Sequence, residues 1–450
     1  MRRFVILSLT LILGTPHGTS ANDIFAQPWQ MHHINKDYLI ANSLQPGDVN
    51  ADGFDDYAVI DEYLGLQTII FHPGNKGDVR QPWPRVVLGQ TGNPEYSCLG
   101  DLDGDGNYDL IVVEGDDLEK GYETGVRIWW GPEPDQVHLP EAWTNAGHIP
   151  GTDGEQYLFC VVRDINEDGR PDILVGGRRR LSTEHYAGIR WLTAPASGDQ
   201  RDLSTWSTHF IDEDALSGHG LVMSDVDEDG HLDVLNGNAD WDTPKFSQEL
   251  AWYRNPGPSA VTQPWQKFAI RPGATEFYPK PQIALGDFDN DGDEDLATQS
   301  QNFVQLYRKQ PDNPAKRFDR IRVQKPDWVQ WISRPIKAAD LDGDGTLELV
   351  GALIHHDGLL PADRASVFAM RQIGDPFSPT GWSFHAIKWS DGYNSRDLWL
   401  GEKWDHLIFN DVDGDGDLDI VGNVEEHFER FEDGSTNNFF SVVWFENPLR

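Results

Sequence analysis

Apolar residues along this chain come in short bursts, with no helical period that would compete with a strand reading. A burst such as Leu221-Val222-Met223 or Ile283-Ala284-Leu285 precedes an acidic stretch, and a β-branched run such as Leu110–Val113, Ile173–Val175 or Ile420-Val421 follows it. A third burst, often carrying Trp, comes next, as in Ile128–Trp130, Leu250–Tyr253 and Val443–Phe445. A fourth segment opens on an aromatic residue and closes on an apolar one: Trp206–Ile211, Trp265–Ile270, Trp382–Ile387. Four short strands per repeat is the pattern of one propeller blade.

The acidic stretch fixes the number of repeats. The nonapeptide Asp-x-Asp/Asn-x-Asp-Gly-x-x-Asp/Glu starts at Asp48, Asp101, Asp164, Asp225, Asp287, Asp340 and Asp411, 53 to 71 residues apart. Seven copies at that spacing fill the chain after its first residues and leave no room for a second domain. The prediction is an all-β, seven-bladed β-propeller of four-stranded blades, spanning residues 22–450. The phase of the repeat predicts how the ring closes. Trp29–Ile34 has the pattern of a fourth strand and Ser441–Asn447 that of a third. The N-terminal strand should therefore complete the last blade and cover both open sheet edges.

The same nonapeptide carries chemistry. Positions 1, 3, 5 and 9 offer side-chain oxygens and position 7 a backbone carbonyl, while Gly at position 6 lets the chain turn sharply. That donor set suits Ca²⁺, a hard cation that takes six to eight oxygens at about 2.3–2.6 Å. The predicted ligands are Asp48, Asn50, Asp52, Phe54 and Asp56 in the first loop, and Asp101, Asp103, Asp105, Asn107 and Asp109 in the second. The third has Asp164, Asn166, Asp168, Arg170 and Asp172; the fourth has Asp225, Asp227, Asp229, His231 and Asp233. The fifth has Asp287, Asp289, Asp291, Asp293 and Asp295, and the sixth Asp340, Asp342, Asp344, Thr346 and Glu348. The seventh has Asp411, Asp413, Asp415, Asp417 and Asp419. Carboxylates this close repel one another by some kcal/mol per pair at protein-surface dielectric, so without a cation the loops should open or protonate. An EF-hand needs a Glu at position 12 and flanking helices, whereas position 12 here is Val59, Val112 or Gly422 and the flanks are strands. Up to seven structural Ca²⁺ are expected.

Acidic loops of this form between two apolar strands, seven times repeated, resemble the bacterial VCBS and FG-GAP-like propellers, relatives of the integrin α-chain N-terminal domain. Asn410–Gly416 and Trp444–Pro448 are similar to segments typical of that group, although the literal Phe-Gly and Gly-Ala-Pro pieces are missing. The resemblance implies a calcium-binding propeller but not integrin-like adhesion. Propellers of this kind also resemble parts of some sugar dehydratases and polysaccharide lyases.

Charge and composition refine this picture. The formal net charge is −38, and much of it lies in the seven loops. Its field repels phosphate, so nucleic acid and anionic membrane are not expected partners. Arg2 and Arg3 followed by the apolar run Phe4–Gly14, with Thr19-Ser20-Ala21 as a small-residue cleavage site, have the form of an export signal over residues 1–21. No later stretch is long and apolar enough for a membrane helix. The rest is expected to be periplasmic, secreted or surface-attached, and monomeric. Cys98 and Cys160 precede successive acidic loops, which puts them on neighbouring strands; two buried thiols are expected, with a bridge as the alternative.

The calcium loops are predicted to share one face, leaving the opposite face for a ligand. Connections there differ in length: Gly115–Thr124, Gly177–Ala187, Gly237–Gln248, His355–Arg364 and Glu425–Asn438 are long, and Gln299–Asn302 is short. Elaborated loops on a constant scaffold suggest a binding face. Polar residues expected just before the inner strands, at the channel mouth, are Asn42, Glu95, Glu155, His219, Lys280, Arg334, Lys403, Asp405 and His406. They either solvate the channel or form a sugar or uronate pocket, with His219, Lys280, Arg334, Lys403 and His406 as catalytic candidates. His355 and His356, as neighbours on a strand, would point oppositely, which weakens a shared metal. Trp241 and Trp404 suit either a sugar platform or the core. No Ser-His-Asp spacing, nucleotide loop or zinc-protease motif is present. The expected function is a calcium-stabilised module binding a glycan or protein. The alternative is a carbohydrate-active lyase or dehydratase with a His or Tyr base at the channel mouth.

Overall fold

The computed structural model describes residues 23–38, 40–74, 77–92, 94–115, 123–180, 187–217, 220–238, 249–271, 282–310, 317–330, 333–353, 363–390, 402–425 and 440–450. Residues 1–21, the expected export signal, and His219, Trp241, Lys280, His355, His356 and most of the long connections lie outside them.

The described strands form seven four-stranded antiparallel sheets, each built from strands consecutive in sequence except the last. Blade one, for example, comprises Ala41–Gly47, Asp56–Asp61, Leu66–Ile70 and Arg85–Gln90. Blade seven comprises Lys403–Asn410, Asp419–Glu425, Val442–Glu446 and, as its outer strand, the N-terminal Gln30–Asn35. Met31 pairs with Phe445 and His32 with Trp444 across that seam. The ring closes as the repeat phase predicts. First strands of neighbouring blades touch around the axis, as between blades two and three and between blades seven and one.

Second strands such as Asp109–Glu114 and Glu348–Leu353 are buried along their whole length, because both faces pack against neighbouring sheets. The core is a series of layers between blades: Cys98, Ile111 and Ile128 of blade two, for instance, cluster with Cys160, Ile173 and Leu192 of blade three. A buried Trp precedes or opens the fourth strand in six blades, and its indole N–H always has a carbonyl to reach. Trp29, Trp83, Trp143, Trp206, Trp265 and Trp382 donate to a carbonyl four to six residues upstream, at 2.8–3.0 Å. The ring fills the space between blades while the bond pins the connector, which satisfies a polar atom that burial would otherwise penalise.

The cysteines depart from the expectation of free thiols. Cys98 on Pro94–Gly100 and Cys160 on Glu155–Arg163 form a disulfide between the first strands of blades two and three. The strands lie side by side around the axis, with the two Cα atoms 6.2 Å apart, within bridging reach.

Candidate functional site

All seven acidic loops share one backbone design. The carboxylate of position 1 accepts from the N–H of the position 6 glycine at 2.9–3.1 Å, from Asp48 and Gly53 through to Asp411 and Gly416. The position 5 carboxylate accepts from the N–H of position 7 in every loop. The position 6 glycines have φ between 87° and 95°, in the left-handed half of conformational space. Position 4 is left-handed as well, which the sequence reading missed. It is Gly in three loops, but Ala51, Glu167, Glu228 and Asn290 hold φ of 56–60° in the others.

Position 9 does more than offer a ligand. Its carboxylate accepts from the N–H of position 2 in all seven loops, as Asp109 does from Leu102 at 2.8 Å. In five loops its other oxygen accepts from the N–H just beyond the third strand or at its end, as in Asn255 to Asp233 at 2.7 Å. This side chain thus staples the loop to the blade. Burial, with the other loop carboxylates adding to it, pushes these groups far above the usual carboxylate range. Asp172 rises to about 6, Asp56, Asp109, Asp233 and Asp295 to about 7, and Glu348 and Asp419 to about 8.

In five loops three carboxylates each bring an oxygen within 4.8 Å of the others: Asp101, Asp103 and Asp109; Asp225, Asp227 and Asp229; Asp287, Asp289 and Asp291; Asp340, Asp342 and Asp344; and Asp411, Asp413 and Asp419. The first and third loops have Asn50 and Asn166 at position 3. The five loops with Asp at position 3 share a further feature: an arginine holds that Asp. Arg254 Nε is 2.8 Å from Asp227, Arg308 Nη2 2.6 Å from Asp289, Arg371 Nη2 2.7 Å from Asp342 and Arg80 Nη2 2.9 Å from Asp413. Arg201 pairs with Asp103 and reaches Asp105 at 2.8 Å. In each of these five loops the arginine offsets the additional carboxylate.

The fit to a cation rests on atoms left over. One carboxylate oxygen each of Asp227, Asp289, Asp411 and Asp413 is buried without a hydrogen-bond partner. Such an acceptor costs free energy unless something positive meets it. Oxygen donors throughout and the absence of thiol or imidazole from the side-chain set suit Ca²⁺ or Mg²⁺ rather than a transition metal.

The channel end is built differently from the expectation. Arg334, Lys403, Asp405 and His406 lie within the inner strands, not ahead of them, and are at most 8% exposed. Arg334 pairs with Asp405 and Lys403 with Glu425. His406 Nε2 is 2.7 Å from Asp405 Oδ2, and its Nδ1 is 3.2 Å from Gln282 Nε2. Burial, then the charges of Arg334, Lys337 and Lys403, hold the imidazole well below its ordinary range. Its ring packs 4.7 Å from that of Tyr96 across the axis. Asn42 and Glu95 are buried too, and Glu155 pairs with Arg190. Trp404 is a core residue, fully buried against Phe445 at 5.7 Å. Around His406 a cavity of about 200 Å³ runs along the axis, lined by Gln45, Tyr96, Phe159, Gln282 and Lys337 among others.

A family profile described as FG-GAP-like repeat matches residues 48–112, 101–175, 164–236, 225–298 and 287–351. Among solved structures, a lectin of Agrocybe aegerita described as recognising non-reducing terminal N-acetylglucosamine is 17% identical, with a TM-score of 0.49 over 91% of this chain and 94% of that one. A Trichoderma reesei protein of carbohydrate-active enzyme family AA12 is 12% identical, with a TM-score of 0.44 over 94% of this chain and 96% of that one. No curated protein matches by sequence. With matched repeats spanning residues 48–351, each running from one acidic loop through the next, the chain belongs to the FG-GAP-like repeat family.

Proposed function

We propose that this is an exported, calcium-stabilised binding propeller whose ligand, a glycan or a protein surface, docks on the end opposite the acidic loops. The observation that carries the reading is the contrast between the two ends. One repeats the same hydrogen-bonded loop seven times. The other carries connections that differ in length from blade to blade. Constancy serves the scaffold, and variety serves recognition. Up to seven Ca²⁺ would sit in the loops, held by the residues at positions 1, 3, 5 and 9 and the carbonyl of position 7. The Cys98–Cys160 disulfide supports export, because such bonds persist in oxidising compartments. No helix among the described residues is long and apolar enough to cross a membrane.

The burial of His406, Arg334 and Lys403 in ion pairs favours binding over an eliminating lyase, whose base must reach its substrate. The test is a glycan array with the calcium-loaded protein, run beside an ultraviolet assay for unsaturated uronate product. Binding without product is expected. Product formation that His406→Ala abolishes would replace this reading with the lyase.

A further inference from the structure

A second concavity lies away from the axis, at the end opposite the acidic loops, where the outer strands of blades one and two meet. It measures about 630 Å³, inside the range of small-ligand sites. Tyr63 and Gln90 line its blade-one side, and Glu123, Arg127 and Asn145 its blade-two side. Tyr63 is 60% exposed, and its side chain is the polar-tipped kind of aromatic on which a sugar stacks.

The blade-two wall is held rigid from behind. Glu114 is fully buried, with Arg127 Nε at 3.0 Å and His148 Nε2 at 2.6 Å. Burial pushes the Glu114 carboxyl up, but hydrogen bonds from His148 and Arg127 outweigh it and hold the group ionised below its usual range. Arg127 then reaches forward, donating to Asn145 Oδ1 at 3.2 Å and to Glu123 at 3.1 Å. Asn145 Oδ1 also accepts from the N–H of Gly147 at 2.9 Å, so its oxygen is occupied and its NH₂ remains as a donor at the rim. Gln90 donates to the carbonyl of Leu64 at 2.7 Å, which leaves its oxygen as an acceptor. On the blade-one side Gly65 is required. With φ of 71°, a Cβ there would stand 1.8 Å from the Thr91 carbonyl oxygen.

We infer that this groove between blades one and two is a subsite for a neutral sugar, and this rests on the binding reading above. An aromatic platform faces fixed amide donors and acceptors across a space of ligand size. The guanidinium is already matched by Glu114 and Glu123, so it offers no spare charge to a uronate. The exposed Glu123 and the net charge of −38 would repel one. Pre-set side chains lower the ordering cost of binding.

The test is calorimetric titration of the full-length, calcium-loaded protein. The probes are neutral hexose oligosaccharides (cello-, malto- and chito-hexaose) and oligogalacturonate. At least one neutral oligosaccharide should bind. Tyr63→Ala should weaken it at least tenfold with an unchanged melting temperature, and Asn145→Ala several-fold, while Tyr63→Phe keeps most of the affinity. Neutral binding untouched by both alanine variants would overturn the groove but leave a glycan-binding propeller. Binding of oligogalacturonate alone would overturn the neutral class. If nothing in the panel binds, the glycan ligand and this subsite both fall.

Discussion

Arg80, on the connection between the third and fourth strands of blade one, holds Asp413 in the seventh acidic loop at 2.9 Å. The same guanidinium lies 2.6 Å from Glu446 on the third strand of blade seven, and His32 on the N-terminal strand reaches Glu446 at 2.7 Å. One cluster therefore joins blade one, an acidic loop and the strand that closes the ring.

Arg80→Met should loosen that seam. Arg80 is partly exposed, so the cost is modest, about 1 kcal/mol, near the upper end for exposed pairs. Hydrogen bonds from Arg80 hold the Glu446 carboxyl below its usual range. A depressed carboxylate contributes stability above its unfolded pKa and loses it as pH falls through the folded value. Urea melts of wild type and Arg80→Met should therefore differ at pH 7 and converge in acid. Equal separation at both pH values would contradict the assignment.

Calcium removal should act in the opposite pH direction. In the metal-free protein the position 9 carboxyls titrate between about 6 and 8. Acids with raised folded pKa values bind more protons folded than unfolded between about pH 4 and 8, so metal-free stability falls as pH rises through that window. Bound calcium would replace those protons, and at ten times Kd each occupied site would add about 1.4 kcal/mol. Chelator should lower the melting temperature more at pH 8 than at pH 5.5. Calorimetry in buffers of different ionisation enthalpy should register proton release on binding near pH 6.5. A chelator effect independent of pH would show that these carboxyls do not titrate with the metal.

The blade count, the ring closure and the acidic loops were legible because each is local and repeated. Asp-x-Asp-x-Asp-Gly needs only a nine-residue window, and Trp29–Ile34 declares itself a fourth strand by likeness to Trp206–Ile211. What was not legible depends on neighbours far apart in the chain. Arg334 and Asp405 meet because blades six and seven adjoin at the axis, so residues that read as a polar mouth are buried ion pairs. Arg201 and Asp103 sit on different blades, and nothing near either announces the other. Cys98 and Cys160 belong to the same class: the repeat placed them on neighbouring strands but did not fix their separation. The left-handed position 4 was visible in part, since three loops spend a Gly there, but Ala51 and Glu167 hide the rule.

Ala51 gives a direct test of that backbone rule. A non-glycine residue in the left-handed region costs roughly 1–2 kcal/mol, partly recovered because glycine has more freedom to lose on folding. Ala51→Gly should therefore stabilise the protein by up to about 1 kcal/mol, measured in chelator where the metal does not mask the loop. Gly53→Ala at position 6, where φ is 92°, should destabilise it.

The Cys98–Cys160 bond closes a separation of 62 residues. Removing a cross-link of that span frees unfolded-chain entropy worth about 4 kcal/mol in the loop-closure model. The double serine variant should melt well below wild type, and reductant should lower the wild-type melting temperature while leaving the variant unmoved. A variant as stable as wild type would mean that the first strands of blades two and three need no tether.

Lys337 lies on the first strand of blade six, Ser333–Ala339. It lines the axial cavity beside His406, and among the described residues no carboxylate pairs with it. Burial holds its ammonium below the ordinary lysine range. A base with a lowered folded pKa costs stability at neutral pH, because the unfolded chain keeps its proton more readily; the cost fades as pH rises toward the unfolded value. Lys337→Met keeps the length and removes the charge, so it should raise the melting temperature at pH 7, with the gain shrinking by pH 9.5. The opposite result, a less stable methionine variant at pH 7, would mean that Lys337 meets an anion in the channel. Raising the concentration of small carboxylates would then stabilise wild type and leave the variant unchanged.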